Sequence, residues 1–142
     1  MFYASPGFGT MAQAQSTNSA APESQQILIR MGDETVTATL IDSEATRDFV
    51  AMLPLSIRVN DHMRREKTGD LPGPLSENTE RVRTYKIGDV AYWPPTEHFV
   101  IYYEHDGLSL PSPGIVVLGK IASGVEMFDV PGSVDVTVEL ID

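Results

Sequence analysis

The sequence has no cysteine among its 142 residues, so disulfide bonds and thiolate catalysis are excluded. No run of apolar residues is long enough to span a bilayer, and we expect no membrane insertion. The three histidines, His62, His98 and His105, lack the i,i+2 or i,i+4 spacing typical of metal ligands. A glycine-rich phosphate loop and a nucleophile elbow are also missing. The sequence therefore predicts no metal and no other cofactor.

Positive charge is scarce, with 10 basic side chains against 20 acidic ones and a net charge of −10. Six of the basic residues lie between residues 61 and 86, and from residue 87 onward Lys120 stands alone against nine carboxylates. Such a surface repels phosphate groups, so we expect no nucleic-acid partner and no attachment to anionic membranes. The basic cluster leaves open a site in a loop for a small acidic ligand.

Residues 1–26 contain a single charged side chain, Glu23, and are rich in Ser, Gln, Ala, Thr and Asn without apolar periodicity. We interpret them as a flexible leader, followed by one domain at residues 27–142. Ala12-Gln13-Ala14 resembles a cleavage site, but no basic region and no apolar run of signal-peptide length precede it. We therefore predict a cytoplasmic location, with export after cleavage of the leader as the alternative.

Short β-branched and apolar segments dominate the remainder of the chain. The strand-like segments lie at residues 27–31, 35–41, 55–60, 90–93, 98–105, 115–121 and 133–142. One clear helix is predicted within residues 42–54, capped by Ser43 and ended by Pro54, and one helical turn near Val125–Phe128. Residues 61–84 look like a long polar connection, either a solvated insert or a functional segment. This pattern predicts a mainly β protein, a closed barrel of about eight strands.

The segment "VVLGKIASGVEMF", residues 116–128, resembles the cyclophilin segment V-V-F-G-K-V and the glycine-containing turn that follows it. "EHFVIYY", residues 97–103, lies where cyclophilins have S-Q-F-F-I, and "ATRDFVAMLP" is similar to their first helix. "DLP" at 70–72 and "GDVAYW" at 88–93 add a resemblance to small bacterial and archaeal cyclophilin-like proteins of poorly defined function. The resemblance covers about residues 27–142 and implies a barrel whose outer wall meets the ligand.

Cyclophilins catalyse cis/trans isomerisation of X-Pro bonds, with an arginine that stabilises the twisted amide. The resemblance makes Arg58, in "SIRV", the candidate catalytic residue, with Arg64 or Arg65 as alternatives. The ligand-binding candidates are His98, Val100, Tyr102 and Ile115. His98 stands where the family has Gln, Val100 replaces an aromatic residue and Ile115 replaces His, so we expect a weakened proline pocket.

Three functions remain open from the sequence. The first is a cyclophilin-like domain that binds a peptide or small ligand on its outer wall, with little or no isomerase activity and residues 61–84 as a lid. The second is a genuine prolyl isomerase that uses Arg58. The third is a small-molecule enzyme or sensor that uses His98 together with basic residues of the lid.

Overall fold

The computed structural model describes residues 24–142, so the predicted leader at 1–26 lies almost wholly outside the described residues. The elements of the described chain follow in order: β1 (Gln26–Met31), β2 (Glu34–Leu40), α1 (Glu44–Ala51), β3 (Leu55–His62), β4 (Glu66–Asp70), β5 (Asp89–Trp93), β6 (His98–Tyr102), β7 (Val116–Ile121) and β8 (Val134–Ile141). Two 3-10 turns lie at Pro94–Thr96 and Val125–Phe128.

The eight strands form one closed antiparallel barrel in the order β1-β2-β7-β5-β6-β4-β3-β8, and β8 pairs with β1 to close it. The alternation in each strand sends one set of side chains inward and the other outward. In β6, for example, Phe99 and Ile101 belong to the interior core, whereas Val100 and Tyr102 belong to a second apolar cluster on the outer wall. The predicted mainly β closed barrel with one helix is confirmed.

The stretch at residues 116–128 owes its shape to two glycines. A Cβ atom on Gly119 would lie 2.6 Å from the carbonyl oxygen of Thr39, so β7 can approach β2 this closely only without a side chain. Gly124 has a φ of +89° and begins the 3-10 turn that buries Phe128 completely in the interior core. Lys120 points outward and lies 3.6 Å from Asp89.

The helix α1 follows its predicted signals. The hydroxyl of Ser43 accepts a hydrogen bond from the backbone N–H of Thr46 at 3.1 Å, which caps the first turn. Phe49 is fully buried and stacks on Phe99 with ring centroids 5.5 Å apart. The helix thereby adds an aromatic side chain to the interior core of the barrel.

The interpretation of residues 61–84 as a connection is wrong for its first part. The strand β3 continues to His62, and Glu66–Asp70 forms β4, the wall strand between β3 and β6. This segment has no apolar alternation because charge pairs replace apolar packing: the fully buried Lys67 ammonium donates to Asp61 at 3.2 Å and to the carbonyl of Gly132 at 3.1 Å. The carbonyl partners of Lys67 come from a distant part of the chain, which a local pattern does not display.

The second apolar cluster covers part of the outer wall. Its buried members are Tyr85, Ala91, Val100, Tyr102, Leu110 and Ile115. The loop between β4 and β5 reaches this wall through Val82, which exchanges two backbone hydrogen bonds with Ile115, at 2.8 and 2.9 Å. The chain's own loops therefore shield the wall beneath them, and the uncovered remainder lies over β4 and β6.

A candidate ligand site on the outer barrel wall

A cavity of about 280 Å³ lies on the outer wall, over β4 and β6. Its lining residues come from the wall strands, from the turns beside them and from the loop that precedes β7: His62, Arg65, Glu66, Thr68, Trp93, Thr96, His98, Tyr102, Leu110 and Pro111. We call the cavity lined by these ten residues the wall cavity. It combines aromatic and aliphatic surface with a few polar groups, which is typical of small-molecule sites.

The strand register fixes the two ends of the wall cavity. Glu66 pairs with His62 on β3 and with Tyr102 on β6, which places a carboxylate at one end. Four residues further along β4, Asp70 pairs with His98, which in turn pairs with Trp93 on β5. At about 3.3 Å per residue, these two ends lie roughly 13 Å apart along the strand.

The structure brings two of the predicted site residues together, since His98 and Tyr102 both line the wall cavity. Val100 lies between them on the same face of β6, but it and Ile115 are buried in the outer-wall cluster and do not line the cavity. Arg58 lies on the outer face of β3, and its guanidinium donates to Asp135 of β8 at 3.1 Å. It is not among the lining residues.

The imidazole of His98 has partners on both ring nitrogens. Nε2 lies 2.9 Å from the carboxylate of Asp70, and Nδ1 lies 3.0 Å from the hydroxyl of Thr96. Both ring nitrogens of His98 are therefore engaged by protein groups, whichever of the two carries the proton. In this arrangement His98 offers the cavity its ring surface rather than a free nitrogen.

From the sequence, Arg65 is only an alternative to Arg58. In the structure, Arg65 is the centre of the most buried group of ion pairs at the wall cavity. Its Nε and Nη2 atoms donate to Glu66 Oε2 at 2.8 and 2.7 Å, and its Nη1 atom donates to Asp106 at 3.0 Å. The hydroxyl of Tyr85 donates to the other oxygen of Asp106 at 2.9 Å. All three nitrogens of the guanidinium thus contact carboxylates, which fixes its orientation and neutralises its charge, although two of its five N–H donors remain unused within the described part of the chain.

Glu66 was missed because a lone glutamate in a polar run gives no local signal. Burial raises the pKa of Glu66 above its ordinary value of 4.5, although the positive charge of Arg65 acts in the opposite direction. Burial also raises the pKa of Tyr102, and the negative charge of Glu66 adds to that effect. Tyr102 is therefore a neutral hydroxyl at physiological pH.

The basic residues between 61 and 86 do not form an open anion site. Arg64 pairs with Asp61 and Asp129, and Arg81 pairs with Glu77 at 2.7 Å. Arg83 donates to the carbonyl of Leu110 at 2.7 Å. Of the six basic residues between 61 and 86, five are thus held by protein groups, which argues against the acidic ligand that the charge distribution left open.

Strained backbone borders the wall cavity at both ends. Among residues 24–142, the non-glycine residues with positive φ are Met63 at 58°, Arg64 at 49° and Glu97 at 58°. Met63 and Arg64 form the turn between the lining residues His62 and Arg65, where Asn-Gly is the usual choice. Glu97 lies between the lining residues Thr96 and His98. Strained residues of this kind concentrate at functional sites.

Two further observations concern only residues 24–142. No group of three or more His, Asp or Glu side chains in this range is placed to hold a metal ion. None of its helices has the length and apolar character needed to cross a membrane.

The described residues form a closed eight-stranded antiparallel barrel with its candidate site on the outer wall. The family model described as "Cyclophilin-like family" matches residues 29–139, and the chain belongs to this family. The predicted family resemblance is thereby confirmed.

Among solved structures, the chain is similar to the solution structure of the hypothetical protein AF2241 from Archaeoglobus fulgidus. The two share 20% sequence identity with a TM-score of 0.65, over 86% of this chain and 98% of the archaeal chain. A likeness at this identity shows the common fold. No curated protein matches the sequence.

Proposed function

We propose that this domain binds a small ligand in the wall cavity and has little or no prolyl isomerase activity. The observation that carries the proposal is the wall cavity itself, a concavity on the outer wall that the chain's loops leave open and that strained backbone borders at both ends. Its volume of about 280 Å³ is close to the lower end of small-molecule sites, near 300 Å³. A small molecule or a single side chain of a peptide suits it better than a long peptide segment.

The state of the arginines supports the absence of efficient isomerisation. A prolyl isomerase of the cyclophilin type needs a guanidinium that can approach the prolyl nitrogen beside an apolar pocket for the ring. Arg65 is held by Glu66 and Asp106, and Arg58 is paired with Asp135 without lining the cavity. Val100 and Ile115, at positions where the family resemblance places pocket residues, are buried in the outer-wall cluster.

The single tryptophan offers a direct test, because Trp93 lines the wall cavity and its fluorescence is not obscured by other indoles. A fragment library and a set of X-Pro tetrapeptides are screened by Trp93 emission and by thermal shift. We expect fragments that change the emission and raise the melting temperature, because a ligand that binds only the folded state stabilises it. X-Pro tetrapeptides are expected to do neither.

A pair of variants locates the site. Thr68 lies half-buried in the floor of the cavity, and Thr68→Phe should fill it and abolish binding of the selected fragments. Thr37, exposed on the outer face of β2, provides the matched control, and Thr37→Phe should bind as the wild type does. Unchanged binding to the Thr68→Phe variant, or a library without a binder, contradicts the proposal.

A further inference from the structure

The carboxylate of Glu66 is only half used by the protein. Its Oε2 atom accepts both hydrogen bonds from Arg65, while its Oε1 atom has no hydrogen-bond partner among residues 24–142. The side chain is only 8% exposed and lines the wall cavity. A buried carboxylate oxygen without a protein donor is unfavourable, so a water molecule or a ligand group must supply the donor at this position.

Tyr102 presents the second buried polar atom of this kind. Its side chain is 1% exposed and lines the same cavity, and its hydroxyl has no hydrogen-bond partner in the described part of the chain. The ring of Tyr85 stacks on the ring of Tyr102 with centroids 4.3 Å apart, and the imidazole of His105 stacks on Tyr85 with centroids 4.1 Å apart. The stacked rings hold the tyrosine in place while its hydroxyl remains available as an acceptor.

Glu66 and Tyr102 are direct partners in the ladder between β4 and β6, so the two side chains lie on the same outer face at one end of the cavity. Directly opposite residues of an antiparallel pair have Cβ atoms about 5 Å apart. The charge of Glu66 acts on Tyr102, which agrees with this proximity, and a ligand shared by the two requires that one donor group with several hydrogens reaches both atoms. An ammonium group has three such hydrogens.

The fixed charge at this end of the wall cavity is negative. The cluster of Arg65, Glu66 and Asp106 has one guanidinium against two carboxylates, a net charge of one negative unit. His62, which pairs with Glu66 across the ladder and lines the cavity, adds a titratable imidazole whose positive charge opposes that of Glu66. At the other end, the carboxylate of Asp70 lies against the imidazole of His98. Cations are favoured in such a field and anions are repelled.

From these observations we infer that the wall cavity binds a primary ammonium group, held by Glu66 Oε1 and the Tyr102 hydroxyl, on an apolar body that packs against Leu110 and Trp93. The inference rests on the proposed function and names the ligand chemistry of the same site. The ammonium group belongs either to a free small amine or to the side chain of a lysine in a peptide.

The test measures the affinity of matched probes by calorimetry and by Trp93 fluorescence. Benzylamine, benzyl alcohol and benzoate share one apolar body with a cationic, a neutral and an anionic head. We expect wild-type protein to bind benzylamine about tenfold or more tightly than benzyl alcohol, and benzoate least, because a charge-assisted hydrogen bond replaces a neutral one. Lysine acetylated at its α-amino group and methylamidated at its carboxyl group keeps a free side-chain ammonium, and the corresponding norleucine compound is its neutral analogue. Tighter binding of the lysine compound than of benzylamine indicates that the natural ammonium group belongs to a peptide.

Variants connect the preference to the two residues. Glu66→Gln should remove the difference between benzylamine and benzyl alcohol, and Tyr102→Phe should reduce it. Asp135 lies on β8, where it pairs with Arg58 and does not line the cavity. Asp135→Asn removes one negative charge as Glu66→Gln does, so it serves as the control and should still bind benzylamine more tightly than benzyl alcohol. Circular dichroism of each variant verifies the fold before binding is measured.

Each outcome is decisive for the inference. Equal binding of benzylamine and benzyl alcohol to the wild type, or a preference that survives in Glu66→Gln, overturns the ammonium inference but leaves the wall cavity as a ligand site. The proposed function fails separately, when filling the cavity with Thr68→Phe leaves fragment binding unchanged. The inference also falls if neither benzylamine nor the lysine compound binds.

Discussion

Glu66 and Tyr102 lie directly opposite each other in the ladder between β4 and β6, and both side chains are buried on the outer wall of the barrel. Outer-wall residues of a small barrel are usually solvated or covered by apolar neighbours. Here a carboxylate oxygen and a hydroxyl remain without partners among the described residues, beside a cavity. This pair is the basis for the ligand chemistry inferred for the cavity.

The burial of Glu66 makes stability depend on pH in a defined direction. Its pKa is raised by burial above 4.5, so its contribution to stability is present in full below about pH 4.5 and is lost as the pH rises through the folded-state pKa. Glu66→Gln lacks this loss. We expect the free energy of unfolding of the variant to gain on the wild type between pH 4 and pH 7 in urea titrations. A difference that stays constant with pH contradicts the prediction.

Asp61 shows the opposite behaviour. Desolvation raises its pKa, but the hydrogen bonds from Tyr103 and Lys67 outweigh that effect, and its pKa lies below the ordinary value of 3.8. Its contribution to stability is therefore present above pH 3.8 and is lost as the pH falls through the folded-state pKa. The wild type should lose stability more steeply than Asp61→Asn on acidification below pH 4, as followed by circular dichroism. Parallel acid titrations of the two proteins would refute this.

Lys67 should be essential for stability although it lies on a short polar strand. Lys67→Met leaves Asp61 and the carbonyl oxygens of Val130 and Gly132 without their donor. We expect a loss of about 3 kcal/mol in the free energy of unfolding, as for other broken buried pairs. Arg47, paired with Asp42 at 2.6 Å with both side chains exposed, is the control, and Arg47→Met should change stability by less than about 1 kcal/mol. Equal effects of the two substitutions would mean that the Lys67 network contributes little.

The turn between β3 and β4 should be improvable. Met63 is exposed and has a φ of 58°, a conformation that asparagine tolerates better. Met63→Asn is expected to raise the free energy of unfolding by about 1 kcal/mol. Gly32 has a similar φ of +61° with open space around it, so Gly32→Ala should lower stability by about as much, through the backbone alone. A stabilising Gly32→Ala or a destabilising Met63→Asn would contradict this reading of the strain.

The isomerase alternative is decided by a coupled proline-isomerisation assay. Arg58 is 64% exposed at its side chain and paired with Asp135, so we expect the wild type and Arg58→Ala to give the uncatalysed rate alike. Catalysis by the wild type that is lost in Arg58→Ala would instead establish Arg58 as the catalytic arginine.

The sequence predicted those parts of the fold that local patterns encode. The strand-like segments at 35–41 and 133–142, the Ser43 cap and the helical turn near Val125–Phe128 all appear in the barrel. The strand β4 was missed because its charged residues Glu66 and Lys67 are buried, and the carbonyl groups that Lys67 needs for this come from Val130 and Gly132, far away in sequence.

The candidate site was predictable only in part, for the same reason. His98 and Tyr102 were named as candidates because the family resemblance places them on the outer face of β6, where the structure has them. The strand predicted at 98–105 ends at Tyr102, since the backbone N–H groups of Tyr103 and Glu104 both turn to the carbonyl of Arg65. That long-range contact forms the charged end of the cavity, and no local pattern contains it.

Amide NMR mapping tests the central claim most directly. The full chain is labelled with nitrogen-15 and titrated with the fragment that binds most tightly in the screen. The chemical-shift changes of the backbone amides are then assigned to residues along the barrel. We predict that the largest changes fall on Thr68, His98 and Tyr102 of the wall cavity. Chemical-shift changes concentrated on the amides of β1 and β2, with the amides of β4 and β6 unaffected, would contradict the account.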